Sequence, residues 1–403
     1  MAFIIENSIL IKYTVEPGVT EVIIPDGIVE IGEFAFRDCE KIVSIVIPDG
    51  VKRIDRCAFY MCSNLKDIVF PDSIEFIGDS AFYCTDYGAK LWKHPIPETF
   101  IMAGKVLLRY NGKDKSVIIP EGTISLYGDA FINCKHVNHV SIPESVTHIG
   151  WGAFRGSGLK EVQMPSTLVH IAAHAFDETP WINSLSKPGQ PEYVYGGKML
   201  LRYNGSDPVV HIPDGIVGIF ERAFSPCYVT GIRFREEETL KEVHLPESVT
   251  NIANNAFWKC SKLEKIVIPG KVTIDRNFCT ECSDRLVVVA PHYAIENATN
   301  TAEKRALGWG YLLNSQLYTD PEIIAGYQKY VSSQKKYYLP IIFKEDRAEC
   351  IAAYAGAKKS PNPMWIRIIW NLPLMPGQRS ALHGCWSGSR SIFLPRQNNL
   401  LAS

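Results

Sequence analysis

Ahead of Pro25, Pro48, Pro71, Pro120, Pro143, Pro165, Pro213, Pro246 and Pro269, apolar and polar positions alternate in one recurring pattern. The residue before each proline is large and apolar, as in Ile24, Ile47, Phe70 and Ile119, and so is the one two places earlier, as in Val22, Ile45, Ile68 and Val117. Such alternation predicts a short strand with one buried face. Proline ends each strand because it has no N–H to give to a ladder. Apolar residues return three and six places later (Val51 and Ile54 after Pro48), and an Ala-Phe pair follows at Phe36, Phe59, Phe82, Phe131, Phe154, Phe176, Phe224 and Phe257, with Phe278 a degenerate ninth. The commonest spacing, 23 residues from Pro25 to Pro48, lies in the range of solenoid repeats. One such turn is too small to bury its own apolar face, so stacked neighbours must build a continuous core.

A longer period is superimposed on the short one. Residues 3–13, 100–110 and 193–203 each read as apolar run, polar turn, apolar run, which predicts three hairpins about 95 residues apart. The last two run on into Asn-Gly, a tight-turn signal. They are expected as insertions near residues 85–112 and 178–205, and the segments that lead into them read as loops that leave the solenoid and return. Trp92 and Trp181 in those loops either anchor a partner or cover their own hairpins. A smaller insertion near residues 228–238 stretches one turn to 33 residues.

The pattern L-x-x-V-x-I-P-x-x-V-x-x-I-G-x-x-A-F-x-x-C, repeated in one order over residues 1–290, resembles the BspA-like class of leucine-rich repeat proteins. The resemblance implies a mainly β, right-handed parallel leucine-rich-repeat solenoid used as a binding scaffold, often at bacterial surfaces. It brings no catalytic residues. About nine or ten turns are expected over residues 1–291, with the β-hairpin insertions and a small α-helical C-terminal cap.

That helical region is expected over residues 292–359. Residues 301–313 lack proline, Asp320-Pro321 reads as an N-cap followed by proline at the first helical position, and Ile323, Ile324, Tyr327, Tyr330 and Val331 share a helical face. Asp346 is a further cap candidate, ahead of Ile351 and Tyr354. Beyond Glu349 there is no Asp or Glu and beyond Lys359 no Lys, so residues 360–403 read as an irregular, non-native tail. Trp365, Trp370 and Trp386 leave a membrane-active tail as the alternative, although no amphipathic period organises them.

Composition narrows the function classes. A net charge of −1, with Lys and Arg scattered among Asp and Glu, carries no nucleic-acid footprint. No apolar run is long enough to span a membrane. Residues 1–6 lack a basic region followed by an apolar core, so a cytoplasmic location is expected, with the cell surface as the alternative drawn from the resemblance. Eleven cysteines are an odd number, which speaks against a closed disulfide framework. Cys39, Cys62, Cys134, Cys227 and Cys260 each follow a repeat phenylalanine by three residues and read as reduced thiols filling a tight turn.

Candidate chemistry is sparse. Cys279-Thr280-Glu281-Cys282 has no second pair at zinc-site spacing and reads as structural. His148 and His170 share a column, with His139 and His174 near in sequence; elsewhere that column holds Glu30, Arg53, Ser125 and Asn251, as on a solvated face. No metal, cofactor or catalytic residue is therefore assigned. The expected function is a non-enzymatic, adhesion-type scaffold, monomeric, that binds a protein partner through outward strand positions. The candidate binding residues are Ile23, Val46, Asp67, Val69, Ile118, His139, Ser141, Glu161 and Gln163. The alternatives are a metal-binding or enzymatic protein using His139, His148, His170 and His174, and a structural spacer.

Overall fold

A computed structural model describes residues 3–93, 98–185, 190–226, 239–344 and residue 350. The expectations for the insertion at 228–238, for Cys227, for a helix after Asp346 and for the tail at 360–403 fall outside the described residues. The chain divides into two compact units between Leu286 and Val287.

The first unit is a parallel solenoid of about 11 turns, in which each turn adds one strand to each of two ladders. The proline-ended strands form one ladder. Glu21–Ile23, Ser44–Val46 and Asp67–Val69 pair parallel in register, and so do Ser116–Ile118, His139–Ser141 and Glu161–Gln163. Val209–His211, Glu242–His244 and Lys265–Val267 repeat the arrangement. The inward positions Val22, Ile45, Val117, Val140, Val210 and Val243 are all buried.

Two-residue strands farther along each turn form the second ladder, and here the hairpins take a place that periodicity did not assign them. The second strand of each hairpin, Ile9–Tyr13, Val106–Tyr110 or Met199–Tyr203, pairs parallel with the next short strand and so acts as a full rung. The hairpins are thus built into the stack rather than looped out of it. Each begins a block of the solenoid, which is why the array has more turns than its prolines.

A third set of hydrogen bonds holds the corner that carries Ala-Phe. Two residues before and two after the phenylalanine, non-glycine residues sit in the left-handed region, among them Phe34, Asp38, Cys57, Met61, Ser80, Cys84, Asp129 and Asn133, with φ of 55–61°. Each such residue is disfavoured by about 1–2 kcal/mol. What offsets this is direction: alternating handedness aims every second N–H group along the stack. Cys57, Phe59 and Met61 donate to the carbonyls of Asp79, Ala81 and Tyr83 at 3.1, 3.0 and 2.9 Å. Asp129, Phe131 and Asn133 donate likewise to Trp151, Ala153 and Arg155.

The cysteine column belongs to this corner. Cys62 Sγ donates to the Phe36 carbonyl at 2.9 Å, and Cys282 Sγ to that of Phe257 at 2.9 Å. In the last turn before the second and third hairpins the column instead holds Thr85 and Thr179. Thr85 Oγ1 donates to Phe82 O at 2.8 Å and accepts the Gly88 N–H at 2.9 Å, which caps helix α1 (Asp86–Lys93). Thr179 caps α2 (Pro180–Ser184) through Ile182 N–H in the same way. The Cys-to-Thr change in one column is the sequence signal of these helices, because a hydroxyl accepts an N–H far better than a thiol does. Trp181 on α2 is buried against Phe176 at 4.5 Å, so it is a packing residue and not an exposed anchor.

The second unit opens with the strand Val287–Val289 and continues as α3 (Thr301–Leu313), α4 (Pro321–Ser333) and α5 (Lys335–Lys344). Asn300 and Asp320 cap α3 and α4 by accepting first-turn N–H groups. On the expected face of α4, Tyr327 and Val331 are buried while Ile323, Ile324 and Tyr330 are half-buried. Tyr311, Tyr318 and Tyr327 form an aromatic core with centroids 5.1–5.4 Å apart.

Candidate interaction surface

Strand side chains alternate across a sheet, so residues flanked by two inward positions must point outward. In the first sheet these are Ile23, Val46 and Val69, held opposite one another by the parallel register. They are 73%, 38% and 57% exposed. The inward columns already fill the core, so packing does not require apolar residues here. Glu21, Ser44 and Asp67 run alongside as a polar column with two acids.

A single four-residue row through Ile118 does not form. Helix α1 lies along the strand that carries Val69. Tyr87 N–H donates to Leu65 O at 2.6 Å, and Lys90 Nζ reaches Lys66 O at 3.0 Å and Asp67 Oδ1 at 3.1 Å. Ile118 is 72% exposed and begins a separate sheet, in which its register partners are Ser141 and Gln163. Those two are joined to each other, Ser141 Oγ donating to Gln163 Oε1 at 3.1 Å. His139 and Glu161, also register partners, form an exposed pair at 3.5 Å. The candidate residues thus divide between an apolar face in the first sheet and a polar, self-paired face in the second.

The four histidines are not brought together. His139 lies on the outward ladder, whereas His148 and His170 pair on the other ladder with rings 5.7 Å apart. Phe76 stands edge-on to His148, and the Arg53 guanidinium lies over the Phe76 ring. Burial lowers the pKa of both histidines, that of His148 to about 4 with further contributions from His170 and Arg53. His174 stands apart, on a left-handed turn, with Asp177 and Glu221. Neither carboxylate stands out in the sequence as a partner of the histidine.

The depressed His148 pKa has a sign that can be measured. The folded state holds the ring neutral while the unfolded chain titrates near 6.5. Stability from this group is therefore complete above about pH 6.5 and is lost as pH falls toward 4. The upper bound is about 3 kcal/mol, and partial solvent access brings it to roughly 1–2 kcal/mol. Asp129, raised to about 6 by burial, works in the opposite direction, so only a difference between variants isolates the histidine. In urea melts at pH 7 and pH 4, His148→Gln should lose less stability than the parent by that amount. Equal losses would show that the ring does not carry the effect.

The chain resembles known proteins over its repeats. The BspA type leucine rich repeat region matches in 6 copies, over residues 15–88, 101–230 and 203–300. No curated protein matches. Among solved structures, the chain is similar to a leucine rich cell surface protein from Faecalibacterium prausnitzii, at 22% identity over 74% of this chain and 87% of that one, with a TM-score of 0.28. A leucine rich repeat protein of T. pallidum is 21% identical over 51% of this chain and 88% of its own, with a TM-score of 0.24. One from Bacteroides ovatus is 19% identical over 72% and 86%, with a TM-score of 0.24.

Proposed function

This chain belongs to the BspA-type leucine-rich repeat family, and on that footing we propose that it is a non-enzymatic scaffold that binds a protein partner through the outward face of its first sheet. The observation that carries the reading is the exposed row Ile23, Val46 and Val69, contiguous by register and unused by the core. Contiguous exposed apolar surface marks interaction sites more often than it decorates a monomer. Glu21 beside the row suits a partner whose apolar contact segment carries a basic flank. Ser141, Gln163, His139 and Glu161 in the second sheet extend the same ladder position with polar groups and would form the rim.

Family members often act at cell surfaces, and we propose such a setting here for an adhesion-type role. Among the described residues no helix is long and apolar enough to cross a membrane.

Capture from lysate tests the surface with the parent and its variants side by side. Val46→Glu with Val69→Glu should abolish capture and leave the circular dichroism spectrum unchanged. Gln163→Glu should retain capture. If the double variant still captures and replacing residues 94–97 by Gly-Ser removes it, those four residues and not the sheet carry recognition. No capture by the parent chain at all would favour a spacer.

A further inference from the structure

His174, Asp177 and Glu221 come from the turns on either side of the third hairpin and converge at the Ala-Phe corner. His174 precedes Phe176 by two residues and Asp177 follows it, while Glu221 stands three residues before Phe224 of the turn beyond the hairpin. His174 Nδ1 lies 2.7 Å from Asp177 Oδ2 and 3.7 Å from Glu221 Oε2. One nitrogen and two carboxylate oxygens thus lie within 4.8 Å of one another, the one such group among the described residues. Bonds of about 2.0–2.2 Å to a tetrahedral zinc ion separate its ligands by about 3.4 Å. The two separations measured from His174 Nδ1 bracket that value, so small side-chain adjustments suffice.

An independent observation is a buried carboxylate oxygen of Glu221 that is left without a hydrogen bond. The Glu221 side chain is 3% exposed, and its Oε1 has no hydrogen-bond partner. Its other oxygen accepts the His174 backbone N–H at 2.8 Å, which aims the carboxylate into the cluster. Arg222 Nε approaches Oε1 only to 3.8 Å and makes no hydrogen bond to it. The Arg222 guanidinium lies instead over the Trp258 ring at 5.1 Å. A buried carboxylate with an idle oxygen is costly and calls for a bound ion or an equivalent partner.

We propose that His174, Asp177 and Glu221 form a three-ligand site for a divalent transition cation of the zinc type. Imidazole nitrogen with two carboxylates suits zinc and its first-row neighbours. The side chain of His174 is 32% exposed and provides the entry path, leaving the fourth position to water. Two carboxylates and a neutral imidazole balance the charge of the ion.

Trp151 supplies a reporter, since its ring stands edge-on to His174 at 5.6 Å. The experiment takes the tag-free full chain after dialysis against chelator. Zinc should bind at one equivalent by calorimetry and raise the melting temperature, and copper(II) should quench Trp151, identified by difference against Trp151→Phe. Glu221→Gln and Asp177→Asn should each weaken zinc binding at least tenfold and abolish the zinc-dependent shift in melting temperature. If Glu221→Gln does not fold, His174→Asn serves, because asparagine tolerates the left-handed backbone. Absence of zinc binding by the parent up to millimolar concentration would overturn the proposal. So would undiminished binding by the variants, with a thiolate-to-cobalt charge-transfer band placing the metal on cysteines.

Discussion

Phe59→Ala should destabilise the solenoid by about 3–5 kcal/mol, with the loss concentrated in the turns on either side. Phe59 is fully buried and stacked between Phe36 at 5.2 Å and Phe82 at 5.9 Å. Truncation therefore removes contacts on both faces of the ring and leaves a void. Collapse into that void is blocked, because the backbone on either side is pinned by the hydrogen bonds of the corner, Phe36 N–H to Ala58 O at 2.8 Å and Phe59 N–H to Ala81 O at 3.0 Å. Coupling in a stacked array passes between neighbours, so hydrogen exchange should accelerate first around Phe36 and Phe82 and last around Phe257. Uniform acceleration along the array would show that the solenoid unfolds as one cooperative body.

The second large effect is expected in the helical unit. In an exposed helix, Gly→Ala stabilises by about 1 kcal/mol. At Gly310 in α3 the sign should reverse. A Cβ there would overlap the carbonyl oxygen of Val288, a backbone atom in the strand on which α3 packs. No flexible side chain can yield, so helix and strand must separate. The cost should reach about 3 kcal/mol, the upper end for overpacking, and should outweigh the propensity gain. Thermal melts followed by Tyr and Trp fluorescence would detect it. A variant as stable as the parent would mean that α3 does not press on the strand through Gly310.

Different parts of the candidate surface were legible to different degrees. Alternation alone placed Ile23, Val46 and Val69 outward, since a strand flanked by two buried columns has one direction left. It could not show that the row stops at Val69. The interruption comes from α1, a helix of eight residues marked in the sequence only by threonine standing in a cysteine column. Ile118 shares the column with Val69 but not its sheet. The cluster of His174, Asp177 and Glu221 was out of reach for a related reason. The other two members lie three and 47 residues from His174, and only the folded stack brings Glu221 to the turn that carries the other two.

Sequence by itself determined the periodic features: the strand before each proline, the buried columns, the phenylalanine stack and the three hairpin units. Each rests on a side-chain property that recurs at fixed spacing. Only the tertiary structure decided the features that depend on backbone direction. The hairpins became rungs because their second strands present free N–H and C=O groups to the next short strand. The corner residues took left-handed conformations although Phe34, Cys57, Ser80 and Arg222 share no chemistry that requires it. The N–H groups of Cys57, Met61, Asp129 and Asn133 reach carbonyls only because a neighbouring turn is stacked in place, so there the stack, and not the residue, selects the conformation.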